Sequence, residues 1–370
     1  MMKHLFFVLL SVSLCLSGKM LCSADDSNGS PVTPSTEIPA ADSNAPATDS
    51  TDQTADSVFT FEKNETAVIL KEAGKPVWQY NFAMIRHENV PENEPRLLAG
   101  CYLHPLYGFH QEILTDNAPQ DHYHHHGIFW TWPHVILHQA TGDVEYDLWT
   151  SNTALRQHLV RFQRQSVDRD SAIFAVENGW FVGPVTYDNQ GNIEETPIMK
   201  EFVEIRTSPA VTRDGITGRI LDFCLTLIPT DTAITLRGAE NKSYGGFTVR
   251  FRPFGQKGKS DFITTSAGIA EDDMPEKPLE WADYTSWFDP ETQNWSGATI
   301  FIAPDHPDYP PTWLTRFYGP LCVGWPGVIG QRFEPGQEIR LKYRLWIHDG
   351  KVSFDQINKI FQEYKDGFGK

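Results

Sequence analysis

The run Ile220-Leu221-Asp222-Phe223-Cys224-Leu225-Thr226-Leu227-Ile228, stopped by Pro229-Thr230-Asp231 and resumed at Ala233–Leu236, decides the fold class. Apolar and β-favouring side chains bounded by turn residues read as strand, turn, strand. The same reading extends outward. Thr66–Lys71 and Val77–Phe82 are short alternating runs split by Ala73-Gly74-Lys75-Pro76, a hairpin signal. His158–Ser166 and Ala172–Trp180 flank the polar turn Asp168-Arg169-Asp170, and Phe247–Phe251, Ala298–Ala303 and Ile339–Ile347 are further strands. Strands at this spacing, with Gly, Pro and Asp turns and few helices, predict an all-β chain folded as a large antiparallel β-sandwich over residues 58–370. No internal repeat of fixed period is visible, which argues against a propeller or solenoid. One helix is expected. Ser353 with Gln356 forms a capping box, and Phe354, Ile357, Ile360, Phe361 and Tyr364 share one helical face, suited to covering one end of a sheet.

The ends of the chain read differently. Lys3 and His4 precede an apolar run from Leu5 to Leu16, and Cys22-Ser23-Ala24 offers small residues for cleavage. Residues 1–24 are therefore expected to be a signal peptide, which places the chain outside the cytoplasm, secreted or periplasmic. The run is too short for a membrane anchor, and no transmembrane segment is expected after it. Residues 25–57 are Ser, Thr, Asp, Pro and Ala with seven acids and no Lys or Arg. Such a stretch buries too little apolar surface to offset its ordering entropy and is expected to be a disordered linker. A net charge of −17 argues against nucleic acid as a partner. Beyond the signal peptide Cys101, Cys224 and Cys322 remain, so at most one disulfide can form, and a buried apolar role suits each.

The densest chemical signal is Asp121-His122-Tyr123-His124-His125-His126-Gly127, which holds four of the chain's 13 histidines. If extended, it puts His122, His124 and His126 on one face and Tyr123 and His125 on the other. Imidazoles in this pattern suit proton transfer near neutral pH or metal ligation. Tyr102 and His104 form another same-face pair upstream, and Glu145 and Asp147 offer carboxylates downstream, beside Trp149. A second cluster runs from Asp305-His306-Pro307 through Pro310-Pro311-Thr312-Trp313 to Arg316 and Tyr318. Between them, Gly245-Gly246 permits close backbone approach, and Arg250 and Arg252 share a strand face suited to an anionic or polyhydroxyl ligand. Eleven Trp, many near these clusters, supply flat faces for sugar rings; core packing is the alternative for about half of them.

These residues resemble the secreted bacterial family labelled methane oxygenase PmoA-like. Its pattern has a Tyr-x-His-Pro-Leu segment, here Tyr102 to Leu106, and Asp-His-Pro-His-His-Arg-Gly, here Asp121 to Gly127. A Gly-rich strand with Arg (Gly245 to Arg250), a Trp-x-Asp-Tyr segment (Trp281 to Tyr284), a His-Pro loop (His306 to Trp313) and a closing His-Asp-Gly (His348 to Gly350) follow in order. His126 stands in place of Arg and Tyr123 in place of Pro, so the match carries over His122, His124 and His125 but not His126. The loop after His306 also lacks the family's Asn. The resemblance implies a galactose-mutarotase-like supersandwich and work on carbohydrate. A membrane oxygenase subunit needs several apolar helices that this chain lacks, so no oxygenase activity is carried over.

The expected function is a carbohydrate-active enzyme, a hydrolase, lyase or epimerase, using His acid–base chemistry at a glycoside, keto-sugar or anomeric centre. His124, His125 and Glu145 are the expected catalytic groups. His104, His122, His126, Trp149, Arg250, His306, Trp313 and Arg316 are the expected contacts to a sugar or sugar-derived small molecule, with both clusters on one concave sheet face. Two alternatives stay open: a non-catalytic glycan-binding module stacking on Trp, and a metal enzyme with His122, His124 and His126 as ligands. No cofactor follows from the sequence.

Overall fold

The computed structural model describes residues 52–53, 57–92 and 98–368. The expected signal peptide, 1–24, and nearly all of the expected linker, 25–57, lie outside the described residues. Within that linker, Asp52–Gln53 pairs in parallel with Ser166–Val167.

The deciding run lies in the strand Ile216–Pro229. Burial along it has a period of two: Leu221, Phe223, Leu225 and Leu227 are buried, while Asp222, Cys224 and Thr226 are half-buried. Each buried side chain of this size contributes about 1.5–3 kcal/mol. The strand pairs antiparallel with Met199–Thr207 on one side and Ile339–Asp349 on the other, in the middle of an eleven-stranded sheet. Pro229-Thr230-Asp231 does not fold it back as a hairpin. Thr230 donates its N–H to Ile198 O (3.1 Å) and its hydroxyl to Pro197 O (2.6 Å). Held there, the chain crosses into a separate four-stranded sheet, where Ile234–Arg237 pairs with His134–Gln139.

The other large sheet has nine strands, ordered Phe59–Lys63, Ala67–Glu72, Lys75–Asn81, Tyr102–Leu106, Ile128–Thr131, Gly246–Arg250, Pro320–Gly324, Thr312–Thr315 and Met274–Pro278. The hairpin joining Ala67–Glu72 to Lys75–Asn81 is the expected one. Ala73 and Gly74, at φ 47° and 78°, make the two-residue left-handed turn that matches strand twist. Lys75 and Pro76 begin the next strand.

The two large sheets face one another across one apolar core. Phe247 of the nine-stranded sheet lies 4.4 Å from Tyr343 and 5.1 Å from Phe223 of the other, and Trp78 Nε1 donates to Thr207 Oγ1 across the gap (3.0 Å). The protein is thus an all-β sandwich with a short C-terminal helix. That helix, Phe354–Gly367, starts on the Ser353–Gln356 capping box and packs Ile357, Phe361 and Tyr364 against Trp281, Phe301 and Trp346. Cys101, Cys224 and Cys322 are all free, the first and last buried. Among the described residues no helix is long and apolar enough to cross a membrane.

The nine-stranded sheet carries a second apolar patch, separate from the main core: Tyr102, Phe129, Leu314 and Cys322, with Trp149 packed on them. The alternation along the deciding strand yields a sharp contrast. Leu225→Ala is expected to lower unfolding free energy by about 2–5 kcal/mol, and Thr226→Ala by about 0.5 kcal/mol or less. Urea titration of both variants checks it; equal losses would contradict the assigned faces.

Candidate functional site

The histidine run is not extended. His122 N–H donates to Pro119 O (2.9 Å) and His125 N–H to His122 O (3.0 Å), turning the chain twice. The returning segment then pairs with the outgoing one: Ala118 N–H reaches His125 O and Gly127 N–H reaches Asp116 O, both at 2.8 Å. Gly127 must be glycine. Its φ is 57°, and a Cβ there would stand 2.1 Å from Leu103 O. The loop is therefore clamped onto Tyr102–Leu106, and the expected face of His122, His124 and His126 does not form.

A different grouping replaces it. His122 stacks on His125 (4.6 Å, 9° between planes) and on Tyr318 (4.9 Å, 6°), a pile of three rings. The Arg250 guanidinium lies 4.8 Å from the Tyr318 ring centre, and its NH2 donates to both oxygens of Asp121 (3.2 Å each). Asp121 Oδ2 is also 2.9 Å from His122 Nδ1. His124 meets His125 edge-on at 4.6 Å. Trp149 stands 5.7 Å from His125, 5.2 Å from Phe129 and 4.8 Å from Tyr244. Its backbone N–H is held by Trp132 O (3.0 Å). His126 turns the other way. Its Nδ1 is 2.8 Å from Asn117 Oδ1, and its ring lies against Tyr102 and His87. His104 Nδ1 is 3.0 Å from Thr115 Oγ1.

The structure thus brings together His104, His122, His124, His125, His126, Trp149 and Arg250. It places the other expected residues elsewhere. Glu145 is on the four-stranded sheet, hydrogen-bonded to His134 and within 4.0 Å of Arg237. His306 is 4% exposed and packs on Trp325 and Tyr343 of the core. Trp313 is fully buried in the same core, its indole N–H bonded to Leu279 O (2.8 Å). Core burial of that loop's aromatic groups outweighs their display at the surface, so only the segment beyond it arrives. Tyr318 joins the stack, and Arg316 lies 3.8 Å from Asp273 at its margin. His87 and Asn117 are site residues that no sequence pattern marks; each lies in an ordinary polar loop.

The electrostatics follow from burial. Desolvation pushes the imidazoles of His87, His104, His125 and His126 down, His104 to about 3. Neighbouring guanidinium groups push the same way, Arg250 at His125 and Arg252 at His104. Burial alone would raise the Asp121 carboxyl, but His122 and Arg250 more than offset it and hold it below its usual range. His125 Nδ1 and Arg250 Nε and NH1 are buried without a hydrogen-bond partner. Such groups are expensive, and a site that receives a ligand is where they accumulate. As to metal, His122 is stacked and His126 is bonded to Asn117, and among the described residues no three His, Cys, Asp or Glu side chains form a ligand set.

The sequence pattern of a family of unknown function (DUF6807) matches residues 67–362, and the chain belongs to that family. No curated protein matches it.

Neutral buried imidazoles make stability depend on pH with a definite sign. Below pH ~6.5 the unfolded chain binds protons that folded His104, His125 and His126 refuse, so stability falls as pH drops, by ~1.4 kcal/mol per unit for each such histidine. The urea midpoint is expected to decrease from pH 6.5 to 5, before most carboxylates titrate. In His104→Gln the dependence should lose about one proton. A midpoint flat over this window would contradict the neutral cluster.

Proposed function

We propose that this chain is a secreted or periplasmic carbohydrate-active enzyme, a hydrolase, lyase or epimerase, working by histidine acid–base chemistry at a glycoside, keto-sugar or anomeric centre. One observation carries the reading: His124, half-exposed, stands edge-on to a buried neutral His125 and beside Trp149, with an ionised Asp121 three residues before His124, held by His122 and Arg250. A neutral imidazole and an ionised carboxylate both accept protons, so these two groups form the basic side of the site. His124 is the group placed to exchange a proton with a ligand. His125 orients it, and Asp121 takes the partner role that Glu145 is too engaged elsewhere to fill. Arg250, with two buried nitrogens unused, serves a polyhydroxyl or anionic substituent.

The binding-module alternative is less well supported. A glycan-stacking module displays its platforms, yet all eleven Trp here are buried or half-buried. The resemblance to PmoA-like proteins and their galactose-mutarotase-like architecture points to the same substrate class.

Purified protein is assayed on a panel of p-nitrophenyl glycosides and 3-keto-glucosides, and by polarimetry on α-D-glucose and α-D-galactose. Turnover is expected on at least one, unchanged by chelator. His124→Ala should lower it about 100-fold or more, with unfolding free energy within about 1 kcal/mol of the parent. His306→Ala should instead lower stability. Loss of turnover on chelation, or sugar binding with no turnover, would overturn the reading.

A further inference from the structure

Glu201 is 0% exposed in the middle of the sandwich, and none of its hydrogen-bond partners is a cation. Three neutral donors surround it: Gln157 Nε2 (2.8 Å), Asn178 Nδ2 (2.8 Å) and Trp180 Nε1 (2.7 Å). Asn178 continues the chain to the Tyr80 hydroxyl (2.9 Å). A carboxyl buried this way contributes little net stability, since well-packed apolar residues do as well or better. Its retention in the core of a sandwich asks for another reason.

That reason lies where the network surfaces. The strands Tyr102–Leu106 and Ile128–Thr131 share only the pair Leu103↔Ile128. Near their diverging ends a cleft is lined by Cys101, Tyr102, His124, His126, Trp149 and Gln157. Its volume is about 30 Å³, which holds a water or one hydroxymethyl arm of a sugar but not a ring. Both N–H groups of Gln157 are engaged inward, one on Glu201 Oε2 and one on Trp130 O (3.4 Å). Glu201 thereby dictates which way the carboxamide faces: burial raises the Glu201 carboxyl, but its Oε2 already accepts from the Trp180 indole N–H, a group that can only donate, and so meets Gln157 as an acceptor. What Gln157 has left is its carbonyl oxygen, which among the described residues accepts no hydrogen bond.

We infer that Glu201 is a positioning residue that orients Gln157 so that its Oε1 accepts a hydrogen bond from a hydroxyl-bearing arm of the sugar entering this cleft. The inference rests on the carbohydrate reading above and adds to it a subsite that selects for one hydroxyl. A buried acceptor discriminates strongly against an analogue lacking its donor, because the acceptor is then left unpaired.

The test is a cycle between protein and ligand on the full chain. D-glucose, D-galactose and their 2-, 3-, 4- and 6-deoxy counterparts are titrated calorimetrically. One deoxy sugar is expected to bind the native protein ~10-fold more weakly than its parent. That difference should vanish in Gln157→Met, which keeps the volume without the acceptor, and shrink in Glu201→Gln. Equal weakening of parent and deoxy sugars would mean a merely structural role and overturns the inference. Should Glu201→Gln fail to fold, Gln157→Met carries the cycle alone. If none of the sugars binds, the carbohydrate reading fails. The positioning claim is then decided by hydrogen exchange of the Gln157 carboxamide: protection in the native protein that is lost in Glu201→Gln supports it, and fast exchange or unchanged protection overturns it.

Discussion

The strand Ile128–Thr131 is buried on both faces: Ile128 and Trp130 enter the sandwich core, while Phe129 and Thr131, 3% and 8% exposed, point the other way. A sheet face that is apolar and turned outward must be covered, or it remains a sticky surface. Here the cover is supplied by the returning loop 116–127, by Trp149 and by Tyr244. Because the loop rich in histidine is the cover, its His125 and His126 imidazoles are desolvated, and desolvation drives them toward the neutral form. The chemistry proposed for the site is thus a by-product of roofing an apolar sheet with polar rings.

Roofing of this kind works only if the polar atoms find partners. Most do so locally, through Asn117, Thr115, Asp121 and Tyr102. The stacked rings of His125, His122 and Tyr318 bury flat surfaces without asking for hydrogen bonds, and Arg250 adds a cation to the end of the pile. His125 Nδ1 and two nitrogens of Arg250 stay buried without a hydrogen-bond partner among the described residues. Removing the carboxylate of Asp121 would leave Arg250 buried and uncompensated, a cost of several kcal/mol by the usual scale for a broken buried pair, moderated here by the partial exposure of Asp121.

The sequence made the strands legible because a half-buried strand writes its environment in alternation. Leu221 to Leu227 and the hairpin at Ala73-Gly74 could be read directly, as could the helix from its Ser353–Gln356 cap. The local shape of the histidine loop could not. Five consecutive ring residues satisfy a strand's period and a loop's turns equally well, and the choice was made by Pro119 and by the tight approach of Gly127 to Leu103. Glu145, His306 and Trp313 looked alike in sequence, polar or aromatic residues near the right motifs. Glu145 is taken by His134 on the adjoining strand, while the partners of His306 and Trp313, Tyr343 and Leu279, are distant along the chain, and nothing local announces them. His87 and Asn117 were hidden for the same reason.

Cys322 lies under Trp149 and Tyr244 on the outward face of the nine-stranded sheet, fully buried, with burial holding its thiol up at about 11. A thiol in that state reacts with an alkylating reagent only when the roof lifts, since both access and ionisation are withheld. Cys224, half-buried on another sheet, reacts by a different route. The chain therefore carries an internal clock for the breathing of its own site: the labelling rate of Cys322, set against that of Cys224, reports how often the cover opens and how firmly a bound molecule holds it shut.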